Sequence, residues 1–314
     1  MKKLIILIAA AMMTAGAASA QDLASASEIF NNGVEQLNAG DKLAALTAFR
    51  DALKIGEGLG SEGEALVGNC KKAIPGVLLA LAKQYNNEKK FGEAVSYAEE
   101  AAKYAEQYED FDTLGEANEI LPALKEAGAF FEGETLLKAK NYAGAIEAYK
   151  KTLELDPTNG NAALRLVQAN CEAGNFEEAK AALEAAKAAG KEDAATDVIG
   201  KAYLKKASAA LKAKNYSAAL AEAQSAGEFI QNGNVYLIAG QAASKIAGKE
   251  SVALQSYEKY LEVAPTAKNS GAIAYTVGAL YQQQKNNTKA LEYYKKAQSL
   301  GYAGAAEMIK ALSK

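Results

Sequence analysis

The feature that most constrains the fold of this chain is a local pattern that returns along its length. AKNYAGAIEAYKK begins at residue 139, and AKNYSAALAEAQS begins at residue 213. In both stretches a polar turn is followed by a small residue in a helix-forming context. Aligning the sequence on that small residue gives seven anchors, with spacings of 49, 51, 34, 40, 34 and 37 residues: Ala45, Ala94, Ala145, Ala179, Ala219, Ala253 and Ala290. A similar unit repeated in this way is typical of helical repeat proteins, in which each unit packs on its neighbours.

A second position, twelve residues before each anchor, is also small in most of the units. It is occupied by Gly33, Ala82, Gly133, Val167, Ala207, Gln241 and Gly278. Five of these seven are Gly or Ala, as a close crossing of two helices requires. Gln241 breaks the pattern and follows Gly240, so the register of that unit is open by one residue. Because only a short polar turn separates the two positions, each unit is predicted to be a pair of antiparallel helices.

Composition agrees with a helical chain and excludes several classes of enzyme. The 314 residues include only 4 Pro and no Trp, and the abundant Ala, Leu, Lys and Glu lose little on entering a helix. The chain has no His. A Ser/His/Asp triad, a Cys/His pair and an imidazole-ligated zinc ion are therefore impossible. We predict that the protein is not an enzyme and that it binds no cofactor.

Two local motifs are better explained as connections between helices than as ligand sites. GLGSEG, residues 58–63, has the glycine spacing of a dinucleotide loop, but it follows a helical stretch, whereas that loop works between a strand and a helix. YEDFD, residues 108–112, lacks the alternating Asp/Asn and Gly spacing of a calcium loop. Neither motif predicts a bound nucleotide or metal ion.

The repeated unit resembles the tetratricopeptide repeat family, whose motif is a 34-residue helix–turn–helix. Residues 126–193 carry the fullest match, with small residues at the crossings, an aromatic residue after the turn and a proline after the second helix: Gly133, Tyr142, Ala145, Tyr149, Pro157, Phe176, Ala179 and Ala186. The resemblance implies an all-α, right-handed superhelical solenoid of about seven helix–turn–helix units. YAGAAEMIKALSK, at the end of the chain, is amphipathic and is predicted to be a C-terminal capping helix.

The two longest spacings, both in the N-terminal part, predict a different kind of unit there. Each contains a proline, Pro75 or Pro122, preceded by a potential capping box, Ser61-x-x-Glu64 or Thr113-x-x-Glu116. We interpret both as lengthened first helices that a proline kinks or interrupts. The alternative is a loop followed by a new helix with proline in its first turn.

These spacings also predict the domain organisation. N-terminal units with lengthened helices occupy residues 21–125, and C-terminal units with the capping helix occupy residues 126–314. Similar Ile-Pro extensions resemble those of extracytoplasmic repeat proteins from Bacteroidota.

Residues 1–20 have the character of a secretory signal peptide. Lys2 and Lys3 precede an apolar run that ends at Met13, and Ala18-Ser19-Ala20 is a cleavage site of the A-x-A type. The run is about half the length of a membrane span, so an anchor is the less suitable interpretation. We expect export to the periplasm of a Gram-negative bacterium and no transmembrane segment after cleavage. The oligomeric state is not predicted.

Charge and cysteine content further restrict the partners. After cleavage the chain keeps 33 basic and 38 acidic residues, interspersed rather than clustered, which does not suit a nucleic-acid backbone. The expected partner is a protein or a peptide. Cys70 and Cys171 lie 101 residues apart without a C-x-x-C pair, so we expect small core residues rather than a disulfide or a metal site.

The candidate binding residues come from the first helix of each unit. Three residues before each small first-helix position stands a bulky apolar residue: Phe30, Leu79, Phe130, Leu164, Leu204, Ile238 and Tyr275. Polar candidates follow on the same helices: Lys83, Asn86, Arg165, Gln168 and Gln282. In the tetratricopeptide repeat family, first-helix side chains line an inner groove that receives peptides. The alternative is that the apolar residues only pack against neighbouring repeats.

These residues favour a non-enzymatic interaction scaffold of the cell envelope that binds a peptide or protein segment in its concave groove. The Lys-plus-Asn clamp that some members of the family use on a C-terminal carboxylate is not reproduced, which disfavours a chaperone-tail binder. The alternative function is a stable accessory subunit of an envelope or outer-membrane complex, docked through its convex face or its N-terminal extension.

Overall fold

The computed structural model describes residues 17–313, and every regular element in that range is helical, which confirms the predicted all-α class. The predicted signal peptide lies outside the described residues up to residue 16. The helices are α1 (Ala17–Ala39), α2 (Lys42–Gly58), α3 (Glu64–Asn87), α4 (Phe91–Gln107), α5 (Phe111–Lys138), α6 (Tyr142–Leu155), α7 (Gly160–Ala173), α8 (Phe176–Ala188), α9 (Glu192–Lys212), α10 (Tyr216–Phe229), α11 (Gly233–Ala243), α12 (Glu250–Val263), α13 (Ser270–Gln283), α14 (Asn287–Ser299) and α15 (Ala305–Leu312).

In chain order the first fourteen helices form seven hairpins, each with a first and a second helix, as the seven anchors predicted. The chain divides into two compact units, residues 1–132 and 133–314, and the predicted division after residue 125 lies in the same helix, α5. In the first unit α2 contacts both α1 and α3, and α3 contacts α4. In the second unit each helix from α6 to α15 contacts the next one along the chain. The last helix, α15, packs Met308 and Ile309 against the core of the second unit, as expected of a capping helix.

The small first-helix residues lie where two helices cross closely. In four hairpins a glycine faces the ring of an aromatic residue on the second helix, and an added Cβ would lie 2.5–2.8 Å from that ring. The four pairs are Gly33–Phe49, Gly133–Tyr149, Gly240–Tyr257 and Gly278–Tyr294. In two other hairpins the second helix has an alanine in place of the aromatic residue, and the first helix has an alanine in place of the glycine. These pairs are Ala82 with Ala98 and Ala207 with Ala223, and all four residues are buried. The glycine therefore provides the room that an aromatic ring needs.

The same contacts settle the register that the sequence left open near Gln241. Gly240, not Gln241, lies against the Tyr257 ring, and Gln241 is exposed. The turn between α11 and α12 spans residues 244–249, whereas the other six hairpin turns have two or three residues. Because α11 also ends sooner after its crossing residue, Gly240 precedes its anchor by thirteen positions, one more than in the other hairpins.

The recurring Lys-Asn-Tyr ends one helix and begins the next. The amide of Lys140 donates to the Leu137 carbonyl, and the amide of Asn141 donates to the Leu136 carbonyl, which is the Schellman pattern of a helix C-terminus. The Asn141 side chain then accepts from the amide of Gly144 at 3.2 Å and caps α6. Lys214 and Asn215 make the equivalent bonds before α10. The Lys-Asn dipeptide thus provides hydrogen-bond partners for backbone groups at the end of one helix and at the start of the next.

Each of the seven hairpin turns contains a left-handed residue five positions before its anchor. These residues have φ between +58° and +92°: Gly40, Lys89, Lys140, Gly174, Lys214, Gly248 and Lys285. A side chain in this conformation strains the backbone by roughly 1–2 kcal/mol, whereas glycine adopts it freely. Four of the turns therefore hold a lysine where glycine would be less strained.

Replacing these turn lysines is expected to stabilise the protein. We expect Lys140→Gly and Lys214→Gly each to raise the free energy of unfolding by about 0.5–1 kcal/mol, because the relief of strain exceeds the entropy that glycine loses on folding. Lys151→Gly, inside α6, is the matched control and should lower it by about 1 kcal/mol. Urea unfolding followed by circular dichroism measures all three. If glycine lowered the free energy of unfolding equally at the turn positions and at Lys151, the expectation would be contradicted.

The two prolines lie inside continuous helices, Pro75 in α3 and Pro122 in α5. Both first helices are therefore lengthened and continue through their proline, and the alternative of a loop with proline in a first turn is wrong. The kink stays a prediction. The prediction that two capping boxes begin these helices is also wrong. Ser61 lies in a short 3₁₀ turn, Gly60–Gly63, and α3 begins after it without a side-chain cap. Asp110 rather than Thr113 caps α5, since the Thr113 amide donates to Asp110 Oδ1 at 3.1 Å.

Gly60 and Gly63 of the GLGSEG stretch allow the chain to turn tightly and to pack closely between α2 and α3. A Cβ on Gly63 would overlap the Gly56 carbonyl group, and Gly60 has a φ of +59°. The stretch is a tight connection between two helices, as the sequence predicted.

Both cysteines are buried free thiols, Cys70 in the first unit and Cys171 in the second. Burial raises the pKa of Cys70 to about 12 and that of Cys171 to about 11, because the thiolate loses its hydration. Both are therefore protonated and unreactive at neutral pH.

One helical stretch among the described residues, 60–87, is long and apolar enough to cross a membrane. More than half of its most apolar part, 56%, is buried inside the protein, as in a core helix. The absence of a membrane span after residue 20 stays a prediction.

Candidate functional site

Three of the seven predicted groove residues belong to the cores instead. Phe30 is fully buried and packs against the Phe49 ring, with centroids 5.0 Å apart. Leu79 and Ile238 are 4% and 9% exposed. Phe30 and Leu79 belong to the same core cluster of the first unit. Ile238 was selected in the wrong register, since the residue three before Gly240 is Leu237.

The other apolar candidates are half-buried. In the second unit, four first helices each contribute one such side chain at the equivalent position. We call these residues the first-helix row: Leu164, Leu204, Leu237 and Tyr275. The last three pack against the core of that unit with part of their surface. Phe130, also half-buried, lies in the first unit. The row keeps apolar surface accessible on consecutive first helices, of which α7 contacts α9 and α9 contacts α11.

Ion pairs join successive first helices beside this row. Arg165 Nε lies 2.8 Å from Glu134 Oε1, which joins α7 to α5. Lys205 Nζ lies 3.3 Å from Glu172 Oε2, which joins α9 to α7. In the first unit, Lys83 on α3 pairs with Glu116 on α5 in the same manner. The groups are partly exposed, so each pair contributes at most about 1 kcal/mol.

Four of the five polar candidates already have partners within the protein. Lys83 is in an ion pair, and Arg165 Nη1 also donates to Gln168 Oε1 at 2.7 Å. Gln282 accepts from the Tyr294 hydroxyl at 2.9 Å. Asn86 is exposed at the end of α3. A ligand at Arg165, Gln168 or Gln282 would therefore compete with an existing hydrogen bond.

Glu134 links this polar group to the core. Its Oε1 accepts from the Tyr149 hydroxyl at 2.8 Å, while the Tyr149 ring lies against Gly133. Burial, followed by the hydrogen bond to Glu134, raises the pKa of Tyr149, so the phenol stays protonated and donates. One carboxylate thus receives both a core hydroxyl and the Arg165 guanidinium.

A second tyrosine–carboxylate group lies farther along the second unit. Glu258 Oε1 on α12 accepts from the Tyr281 hydroxyl at 2.6 Å and from the Tyr293 hydroxyl at 2.9 Å. Burial is the main cause of the raised pKa of both phenols, and the bond to Glu258 adds to it. Lys289 Nζ donates to the Tyr281 hydroxyl at 3.1 Å. The three helices α12, α13 and α14 are thereby connected, and the group is structural.

A cleft that the sequence did not reveal lies between the N-terminus of α8 and helices α9 and α10. Its volume is about 510 Å³, and its lining includes Phe176, Tyr203, Lys206, Glu222 and Ser225. The two rings form its floor, with centroids 4.2 Å apart. Only Phe176 occupies a position of the repeat motif, the aromatic residue after the turn. Periodicity gave no signal that Phe176 would meet residues from α9 and α10.

The residues that the structure describes bring together no group of three Cys, Asp or Glu side chains that could hold a metal ion. The arrangement consists of apolar rows, ion pairs between helices and one cleft. Such surfaces bind other molecules through shape and charge.

Comparison with known families supports the repeat in two segments. Residues 136–196 match one model of the tetratricopeptide repeat, and residues 272–300 match another. The first match contains α6, α7 and α8, and the second contains most of α13 and α14. Tetratricopeptide repeats are therefore present in the second unit.

Similarity to individual proteins is low. Among curated sequences, none matches this chain. A crystal structure of the MamA protein is 22% identical over 56% of this chain and 91% of its own, with a TM-score of 0.33. MamA from Desulfovibrio magneticus RS-1 is 14% identical over 56% and 95%, with a TM-score of 0.31. YrrB, described as a TPR protein with an unusual peptide-binding site, is 23% identical over 59% and 91%, with a TM-score of 0.30. These values are too low to transfer a function.

Proposed function

We propose that this chain is a non-enzymatic scaffold of the cell envelope that holds a peptide or protein segment against the first helices of its second unit. The observation that carries the proposal is the first-helix row, Leu164, Leu204, Leu237 and Tyr275. Repeated apolar side chains with accessible surface, on first helices of which α7 contacts α9 and α9 contacts α11, provide a series of anchors for an extended or helical segment. The two tetratricopeptide repeat matches fall in the same unit and support it.

At such a site, the binding free energy comes from a few anchor residues rather than from the total buried area. Each half-buried side chain adds a modest apolar contact, and tight binding requires that several be covered at once. The Lys205–Glu172 ion pair joins α9 to α7, two helices of the row, and contributes at most about 1 kcal/mol to their arrangement. The envelope location rests on the predicted signal peptide and is part of the proposal.

Site-specific photo-cross-linking tests the proposed face. We expect a benzoyl-phenylalanine at Leu204 or Tyr275 to capture the same partner in cells, because both positions contribute to one row. Ala181 and Glu184 on α8 are exposed and serve as matched controls that should capture little. The adducts are identified by mass spectrometry. Equal capture of that partner from α8 would exclude the first-helix row as the binding surface.

A further inference from the structure

The cleft between α8, α9 and α10 has two aromatic rings as its floor and carboxylates at its edge. Phe176 and Tyr203 line the cleft, although neighbouring side chains leave them only 8% and 6% exposed. Glu177, Glu178 and Glu222 line the cleft together with one cationic side chain, Lys206. With Lys180, which pairs with Glu177, three carboxylates stand against two ammonium groups, which leaves the cleft with an excess of one negative charge. Aromatic faces beside carboxylates are the surroundings that attract an organic cation.

The protein's own lysines show where such a cation would lie. Lys206 Nζ is 4.5 Å from the centroid of the Phe176 ring and 2.8 Å from Glu222 Oε1. Lys180 Nζ is 5.6 Å from the centroid of the Tyr203 ring and 3.1 Å from Glu177 Oε1. Each ring is therefore covered by an ammonium group that a nearby carboxylate holds in place.

These internal cations can be displaced. The Lys206 side chain is 48% exposed, and an ion pair this accessible to water contributes at most about 1 kcal/mol. A lysine ammonium is also the weaker partner for this geometry. A guanidinium is planar, stacks on an aromatic face and bonds a carboxylate through two parallel N–H groups at once.

We propose that the cleft binds the arginine side chain of a partner protein, with the guanidinium stacked on Phe176 in place of the Lys206 ammonium and bonded to Glu222. The premise that the arginine belongs to a partner protein rests on the proposed function. The cleft itself shares no residue with the first-helix row, so the two surfaces are tested independently. The cleft would provide a second contact with the partner protein, in addition to the contact at the first-helix row.

Nuclear magnetic resonance titration of the full chain with N-acetyl-arginine amide tests the cleft. A single side chain is expected to bind in the millimolar range and to shift the backbone amides of Ala221 and Ser225. N-acetyl-citrulline amide has nearly the same shape without the charge and should cause no saturable shift. Saturation by citrulline at the same concentration, or by choline as tightly as by arginine, would overturn the assignment of an arginine.

Substitutions of Lys206 and Glu222 make the test specific to this geometry. Lys206→Ala removes the internal competitor and should tighten binding about two- to fivefold. Glu222→Gln removes the charged acceptor and should weaken binding about two- to fivefold. Glu147→Gln, an exposed carboxylate on α6, is the matched control and should leave the affinity unchanged. If Lys206→Ala weakens binding, or if Glu222→Gln and Glu147→Gln behave alike, the proposal is wrong. Neither result would affect the cross-linking from Leu204 and Tyr275.

Discussion

Gly240→Ala is expected to destabilise the second unit by up to about 2 kcal/mol, although alanine is the better helix former. A Cβ at this position would lie 2.5 Å from two carbons of the Tyr257 ring, closer than real carbon contacts allow. The ring is 4% exposed and cannot move away without separating α11 from α12. Overpacking of this kind costs about 1–3 kcal/mol, which exceeds the roughly 1 kcal/mol that alanine gains over glycine inside a helix.

The matched control is Gly227→Ala, also within a helix of the second unit. A Cβ there would meet Val235 Cγ1 at 3.5 Å, an ordinary contact, so the substitution should raise the free energy of unfolding by up to about 1 kcal/mol. Urea unfolding of the two variants beside the unsubstituted protein gives the comparison. A stabilising effect of both alanines would show that Gly240 is not a point of close helix crossing.

Tyr149→Ala is expected to lower the free energy of unfolding by about 3–5 kcal/mol. The side chain is fully buried, and its removal leaves a cavity beside Gly133. It also leaves Glu134 with one hydrogen-bond donor fewer, although Arg165 still pairs with that carboxylate. Chemical denaturation measures the loss.

A double substitution separates the close crossing from the general cost of a cavity. Gly133→Ala alone should destabilise, because its Cβ would lie 2.6 Å from Tyr149 Cε1. In the Tyr149→Ala protein the same change should be neutral or stabilising by up to about 1 kcal/mol, since the ring is no longer there. Equal costs of Gly133→Ala in the two backgrounds would contradict the glycine–ring pairing.

The repeat architecture could be predicted from the sequence because it depends on local chemistry. The Lys-Asn-Tyr turn, the small residue after it and the glycine before it are read directly from neighbouring residues, and each has a local reason to recur. The two lengthened helices could be predicted for the same reason, since Pro75 and Pro122 lie within long helix-forming stretches.

Burial along the first helices was predicted less well, because it depends on what covers each helix. Phe30 and Leu164 occupy equivalent positions in their units, but one is in a core and the other is half-exposed. A periodic pattern identifies the face of a helix without telling how completely the next element covers it. The cleft over Phe176 and Tyr203 was missed for a related reason. Its residues come from three helices and become neighbours only when these helices pack.

The extra residue between α11 and α12 indicates where this architecture accepts changes in length. Placed between the crossing residue and the next helix, it leaves Gly240 and Tyr257 in contact. The same insertion in the middle of α12 would rotate all later residues of that helix by about 100° and turn the buried Tyr260 and Leu261 toward water. Natural relatives of this chain should therefore differ by insertions and deletions in their turns, while the distance between buried positions within each helix stays constant.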